Sequence, residues 1–206
     1  VTSFRRQDYF DNTHSSFAGY LGIGVNPKLA QRVQDADLLI VLGARLGEVP
    51  TSGYSLLKIP VPDQSLVHVH ADPEELGRVY QAQLPINADP RAMAAVLQDV
   101  SVGDGARRWA DWLKDANNDC QTYSRPIKTP GNLQMSEVMA HLQKVLPENA
   151  IITNGAGNYT AWIHRFYRYR QYGTQLAPTA GSMGYGVPAS VAAKLRMPER
   201  EVIAFA

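Results

Sequence analysis

The sequence predicts an α/β protein built from two Rossmann-like units with parallel sheets, both of them incomplete. Short continuous apolar runs, such as "DLLIVLGA" over 37–44, are typical of strands that are buried on both faces of a parallel sheet. Segments with helical spacing of apolar residues lie between these runs, and two helices begin with Asp-Pro directly after a strand-like segment. This alternation indicates layered β/α units.

The first predicted unit covers residues 1–100. Asp72 and Asp89 each precede a proline, so each aspartate is expected to cap the helix that follows it. In chain order, the predicted elements are a helix over 28–36, strands over 37–44 and 65–72, a short strand over 84–88 and a helix over 89–100.

A linker is predicted over residues 101–133, and a second unit over 134–206. The linker contains an amphipathic helix within 105–126 and a connector with two prolines. In chain order, the second unit begins with a helix over 133–147, continues with a strand and a glycine-rich turn within 150–162 and a helix of small residues within 184–195, and closes on a strand over 201–206.

Composition narrows the classes of function. The 206 residues contain 20 Lys plus Arg and 19 Asp plus Glu, and this net charge of +1 argues against nucleic-acid binding and against an anionic membrane surface. No apolar run approaches the ~18 residues that span a bilayer. The single cysteine, Cys120, indicates a reducing compartment, with the cytoplasm as the default. The stretch 162–172, which interleaves arginines with aromatic residues, is expected to be a partly exposed helix and turn.

Two glycine-containing turns in the second unit carry the candidate chemistry. "NGAGN" over 154–158 sits between a strand and a helix, where backbone N–H groups can bind a phosphate; an ordinary turn that needs positive φ is the alternative. "GSMGYG" over 181–186 leaves its backbone uncovered around one flexible apolar side chain, Met183. A close contact between helices is the alternative there.

At these residues, the sequence resembles the thiamine-diphosphate-dependent enzymes related to acetolactate synthase and to benzoylformate and pyruvate decarboxylases. The similarity is strongest in "AIITNGAGNYTAW" and "TAGSMGYGVPASVAAKLRMPEREVIAFA" and extends to "ADLLIVLGARLGE" and "LVHVHADPEELG". It implies that Met183 wedges between the two cofactor rings and that the Gly181 carbonyl accepts a hydrogen bond from the aminopyrimidine. It also implies that the turn of Ala156, Gly157 and Asn158 holds the diphosphate.

The resemblance also implies which parts the chain lacks. Family members follow the last strand with Gly-Asp-Gly and a later Asn that bind Mg²⁺, so the metal motif is expected after Ala206, and no catalytic residue is expected within this chain. Gly103-Asp104-Gly105, with Asn117 and Asn118 after it, has the wrong spacing for that motif and is interpreted as linker. The chain is therefore expected to be most of a central domain plus the first part of a diphosphate-binding domain, inactive by itself.

Flavin-binding relatives use the central domain for FAD, which makes Gly43, Arg45, Asp72 and Asp89 candidate nucleotide contacts at strand ends. "GYLGIG" over 19–24 lacks the histidine of the G-x-L-G-x-H-G pattern in flavin-binding acetolactate synthases, which argues against FAD.

The predicted parent is a homodimeric or homotetrameric enzyme that decarboxylates a 2-oxo acid and ligates the product to a second carbonyl compound. A simple 2-oxo acid decarboxylase and a non-catalytic nucleotide-binding or assembly module are the alternatives.

Overall fold

The computed structural model describes residues 1–101, 103 and 108–206 and divides into two compact units. The terminal unit comprises Val1–Tyr20 together with Lys114–Ala206, and the middle unit comprises Leu21–Leu113. Each unit contains a three-stranded parallel sheet, which confirms the predicted α/β class. The predicted domain boundaries at residues 100 and 133 stay a prediction.

The helices and strands follow the predicted order. They are β1 (Thr2–Ser3), β2 (Tyr20–Leu21), α1 (Pro27–Gln34), β3 (Leu38–Leu42), β4 (Ser65–His70), β5 (Leu84–Asn87), α2 (Pro90–Gln98), α3 (Ala110–Tyr123), α4 (Met135–Val145), β6 (Ile151–Asn154), α5 (Thr160–Phe166), β7 (Gln175–Leu176), α6 (Gly186–Arg196) and β8 (Val202–Phe205).

The middle unit is built on the strand order β3-β4-β5. Its core consists of leucines and one tyrosine below one face of this sheet: Leu46, Leu56, Leu57, Leu66 and Tyr80. The prediction that β3 is buried on both faces is wrong. Leu38, Ile40 and Leu42 are 47%, 52% and 40% exposed, whereas the alternate residues Leu39 and Val41 pack against the core. Successive side chains of a strand point to opposite faces, so only one face of β3 is covered by the described residues.

The terminal unit is built on the strand order β7-β6-β8. β6 is buried along its whole length, as expected for the central strand of a parallel sheet. The core of the terminal unit lies between this sheet and helices α4 and α5 and consists of Met139, Ile152, Ile163, Phe166, Tyr167 and Tyr169.

The stretch 162–172 forms the predicted helix and turn, and it is partly exposed, with Tyr172 64% exposed. Its other aromatic residues, however, pack into or against this core. Two arginines of this stretch, Arg165 and Arg168, hold the end of α3 against the terminal unit. Arg165 donates from Nε to the Tyr123 carbonyl at 2.8 Å and lies 3.9 Å from the Tyr123 ring centroid. Arg168 donates to the Cys120 carbonyl at 3.2 Å. Cys120 itself is buried and free.

Buried polar groups join the N-terminal segment to this sheet. Asp8 accepts three backbone hydrogen bonds through Oδ2, from Gly173, Thr174 and Gln175, at 2.9, 3.1 and 3.2 Å. The backbone amide of Gln7 donates to Oε1 of Gln175 at 2.6 Å. These bonds hold residues 7 and 8 against the start of β7, so the segment is an integral part of the terminal unit.

Candidate cofactor site

The two glycine turns that the sequence singled out lie at one edge of the terminal unit's sheet. β6 ends at Asn154 and runs into the turn 155–159, and β7 ends at Leu176 and runs into the turn 177–185. β6 and β7 are parallel neighbours, so both turns leave the sheet at its carboxyl edge. Ligands of open α/β sheets bind at this edge.

Gly186 brings the start of α6 into direct contact with the end of β6. A Cβ atom at Gly186 would lie 2.7 Å from the Gly155 nitrogen, 2.9 Å from the Asn154 carbonyl carbon and 3.0 Å from the Phe205 oxygen. Thr153 donates from Oγ1 to the Gly186 carbonyl at 2.8 Å, and the Gly155 amide donates to Phe205 at 3.0 Å. The third glycine of "GSMGYG" is thus required by close backbone packing within the site.

The turn after β6 presents backbone donors that no group of the described residues accepts. Within the described part of the chain, the amides of Ala156, Gly157 and Asn158 donate no hydrogen bond, and Gly157 and Asn158 are exposed. Neither Gly155 nor Gly157 adopts a left-handed φ. Both glycines instead make room for the Tyr159 side chain: its hydroxyl oxygen would lie 2.5 Å from a Cβ at Gly155, and a ring carbon would lie 2.6 Å from a Cβ at Gly157. Successive free amides at an exposed turn suit an anion.

The turn after β7 projects an apolar side chain into solvent. Gly181 and Gly184 adopt φ of +73° and +75°, a region in which side chains other than glycine's are strained. Between them, Met183 is 87% exposed, and a Cβ at Gly184 would meet nothing within 4 Å. A methionine this exposed contributes little to the stability of the unit.

Two features of this edge go beyond what the sequence patterns indicate. Asn154 is buried, and its Oδ1 has no hydrogen-bond partner among the described residues, although its Nδ2 donates to the Gly155 carbonyl at 2.8 Å. Arg5 donates from Nη1 to the Thr179 carbonyl at 2.8 Å, within the same turn as Met183. The Asn in "NGAGN" was a usable signal for the first, whereas no sequence signal pointed to Arg5, 174 residues from its partner.

These residues fit thiamine diphosphate in two respects. The open amides of 156–158 suit the diphosphate, because backbone N–H groups bind phosphate oxygens. The projecting Met183, flanked by uncovered glycine backbone, suits the apolar faces of two aromatic rings.

The candidate nucleotide residues of the middle unit also lie at the carboxyl edge of their sheet. Gly43 follows β3 with φ of +71° and packs against Pro90. Arg45 lies 3.6 Å from a carboxylate oxygen of the buried Glu75. Asp72 precedes a short 3-10 helix, Pro73–Glu75, and Asp89 precedes α2. Their Oδ1 atoms accept hydrogen bonds from the backbone amides of Glu74 and Arg91 at 3.0 and 2.8 Å, which confirms both as helix caps.

The histidines of β4 are explained by local structure. His68 is buried and its Nε2 lies 2.8 Å from the Ala44 carbonyl; burial lowers the pKa of this imidazole. Over residues 1–101, 103 and 108–206, no cluster of three or more His, Cys, Asp or Glu side chains could hold a metal ion. Of the upstream Gly-Asp-Gly, Asp104 and Gly105 lie outside the described residues. The helices that the structure describes include none long and apolar enough to cross a membrane.

Two family models match this chain. The family described as "Thiamine pyrophosphate enzyme, central domain" matches residues 1–99, and "Thiamine pyrophosphate enzyme, C-terminal TPP binding domain" matches residues 155–206. The second match begins at the first glycine of the turn after β6 and includes both turns described above.

Curated relatives match nearly the whole chain. Acetolactate synthase of Mycobacterium avium is 29% identical over 98% of this chain and 33% of its own length. Acetolactate synthase isozyme 1 large subunit of Escherichia coli K12 is 30% identical over 93% of this chain and 34% of its own. Sulfoacetaldehyde acetyltransferase of Alcaligenes xylosoxydans xylosoxydans is 26% identical over 100% of this chain and 39% of its own. The chain thus spans about a third of the length of these relatives, and it belongs to the thiamine pyrophosphate enzyme family.

Proposed function

We propose that the protein carrying this chain is a thiamine-diphosphate-dependent enzyme that decarboxylates a 2-oxo acid and ligates the product to a second carbonyl compound, as an acetolactate synthase does. The observation that carries the proposal is the pairing of free amides after β6 with the projecting Met183 after β7 at one sheet edge. The names of the acetolactate synthase relatives favour carboligation over simple decarboxylation.

Each turn has a separate role in this proposal. The amides of Ala156, Gly157 and Asn158 bind the diphosphate, and Met183 packs between the two rings of the cofactor and keeps it bent. The Gly181 carbonyl accepts a hydrogen bond from the aminopyrimidine. When bound, thiamine diphosphate supplies the carbon nucleophile and the electron sink, and the protein supplies orientation and electrostatics.

The remaining assignments follow the family resemblance. Residues 1–100 serve as part of the central domain, 101–133 as a linker and 134–206 as part of the diphosphate-binding domain. Mg²⁺ accompanies the diphosphate, and the assembly is a homodimer or homotetramer. The free Cys120 supports a reducing compartment such as the cytoplasm. At the middle unit, the capping roles of Asp72 and Asp89 weigh against FAD.

Replacement of Met183 by alanine in the full-length protein tests the wedge. Met183 is exposed, so the variant should unfold at the wild-type temperature. Turnover of the 2-oxo acid should fall by about 10- to 100-fold, because a misaligned cofactor loses reactive geometry. Affinity for thiamine diphosphate, measured by quenching of tryptophan fluorescence, should change much less.

The matched control is Leu195→Ala, which removes another apolar side chain, 79% exposed, at the far end of α6. It should leave turnover unchanged. A Met183→Ala enzyme with wild-type turnover would refute the wedge. Failure of the wild-type protein to convert any 2-oxo acid in the presence of thiamine diphosphate and Mg²⁺ would refute the catalytic function and favour a non-catalytic module.

A further inference from the structure

Arg5 lies against the turn that carries Met183. Its Nη1 donates to the Thr179 carbonyl at 2.8 Å, and its Nη2 lies 2.9 Å from where a Cβ of Gly181 would be. The guanidinium carbon lies 4.5 Å from the centroid of the Phe4 ring, which is itself buried. A hydrogen bond, a cation–π contact and the close approach to Gly181 therefore fix the position of this guanidinium.

The positive charge of Arg5 has no counter-ion among the described residues. In the part of the chain that the structure describes, no carboxylate forms an ion pair with Arg5. Asp8, a buried carboxylate of the same segment, directs its Oδ2 to three backbone amides instead. The neighbouring imidazole of His164 contributes no negative charge. Removing part of this charge from water without an anionic partner costs free energy.

The donors of Arg5 are only partly used. A guanidinium carries five N–H groups in a planar fork that matches a carboxylate, and the described residues accept from one of its nitrogens, Nη1. The side chain is half-buried, and burial lowers its pKa without another charge to compensate. The site thus holds a positioned cation with free donors beside Gly181, the residue assigned to the aminopyrimidine.

We propose that Arg5 binds the carboxylate of the 2-oxo acid substrate and so determines that the site takes anionic 2-oxo compounds. This inference rests on the function proposed above. Arg5 binds the substrate carboxylate through charge-assisted hydrogen bonds. Its hydrogen bond to the Thr179 carbonyl holds the guanidinium in a fixed position beside the turn that carries Met183. A guanidinium is suited to this role because it binds carboxylates through two parallel hydrogen bonds.

The test compares an acid with its neutral ester in the full-length enzyme. Wild type, Arg5→Met and Arg5→Lys are assayed with pyruvate, 2-oxobutyrate and benzoylformate, and with the methyl ester of the best of these. Arg5→Met should lower kcat/KM for the acid by about 10- to 100-fold, mainly through KM, and leave kcat/KM for the ester nearly unchanged. Arg5→Lys should retain part of the preference for the acid, because it keeps the charge but loses the fork.

The matched control is Arg6→Met, which removes the neighbouring arginine, a side chain that donates no hydrogen bond to Thr179 or Gly181. It should keep the wild-type preference for the acid. Equal losses for acid and ester in Arg5→Met would mean that Arg5 only supports the turn, and no loss for either would mean that it has no role in binding; both results overturn the inference. Weaker binding of thiamine diphosphate, with an unchanged KM for the acid, would assign Arg5 to the diphosphate and overturn it as well. If wild type converts none of the acids, it is the proposed function that fails.

Discussion

Gly186 is the residue where a single added methyl group should do most damage to the candidate site. A Cβ at this position would lie 2.7, 2.9 and 3.0 Å from three backbone atoms, those of Gly155, Asn154 and Phe205. Ordinary contacts begin at 3.4 Å, so these atoms would have to retreat by about half an ångström. They cannot retreat easily, because β6 and β8 are hydrogen-bonded neighbours in the sheet.

The cost of Gly186→Ala can be estimated from two opposing effects. Forcing an extra group into a well-packed site costs about 1–3 kcal/mol. Alanine in place of glycine in the middle of a helix recovers about 0.5–1 kcal/mol. Less is recovered at Gly186, because it is the first residue of α6. The free energy of unfolding should therefore fall by about 1–2 kcal/mol, which lowers the midpoint of urea unfolding by roughly 0.5–1 M.

Urea unfolding followed by circular dichroism measures this change. Gly47→Ala is the matched control, because a Cβ at Gly47 meets nothing within 4 Å and its φ is not left-handed. The control should be neutral or slightly stabilising. The variant at Gly186 should also bind thiamine diphosphate more weakly, since α6 and the turn after β6 are forced apart. An unfolding midpoint equal to that of wild type would refute the packing argument.

Two further predictions concern the buried polar groups of the terminal unit. Burial, and secondarily the charge of Arg5, lowers the pKa of His164 to about 4. As pH falls from about 6.5, the unfolded state binds a proton at this histidine, whereas the folded state does not until about pH 4. The free energy of unfolding should therefore fall by about 3 kcal/mol over this range. Urea titrations should show a weaker pH dependence of the free energy of unfolding in His164→Gln than in wild type, and an equal pH dependence would contradict the assignment. Asp8→Asn weakens three charge-assisted hydrogen bonds from backbone amides, and it should lower the free energy of unfolding, measured by thermal unfolding, by about 1.5–3 kcal/mol. The control Asp11→Asn, at an exposed position, should lower it by less than about 0.5 kcal/mol. Equal effects of the two substitutions would exclude the anchoring role of Asp8.

Local features of this protein could be predicted from the sequence. Asp72 and Asp89 cap their helices as their Asp-Pro patterns indicate, because capping depends on neighbours two residues away. The two glycine turns could also be identified, since strand, turn and helix follow one another directly there. The sequence only partly indicated why these turns contain glycine. Gly155 and Gly157 accommodate Tyr159 and do not need positive φ.

Features that depend on distant parts of the chain could not be predicted. The apolar run of β3 indicates a strand but does not show which elements cover its faces, and Ile40 is exposed. The arginines at 165 and 168 looked like surface residues, yet backbone carbonyls of α3 accept their hydrogen bonds. Arg5 contacts the candidate site through a partner 174 residues away, a separation that no local pattern reveals.

The anchoring of Asp8 has a consequence for how the chain folds during synthesis. Its amide partners lie 165 to 167 residues later, so they leave the ribosome roughly 10 to 30 s after Asp8 at usual rates of elongation. Leu21–Leu113 is a continuous stretch and can fold in that interval, while Phe4 and Phe17, both buried in the finished protein, stay exposed. We therefore expect residues 1–20 to need protection from aggregation until β7 has been synthesised.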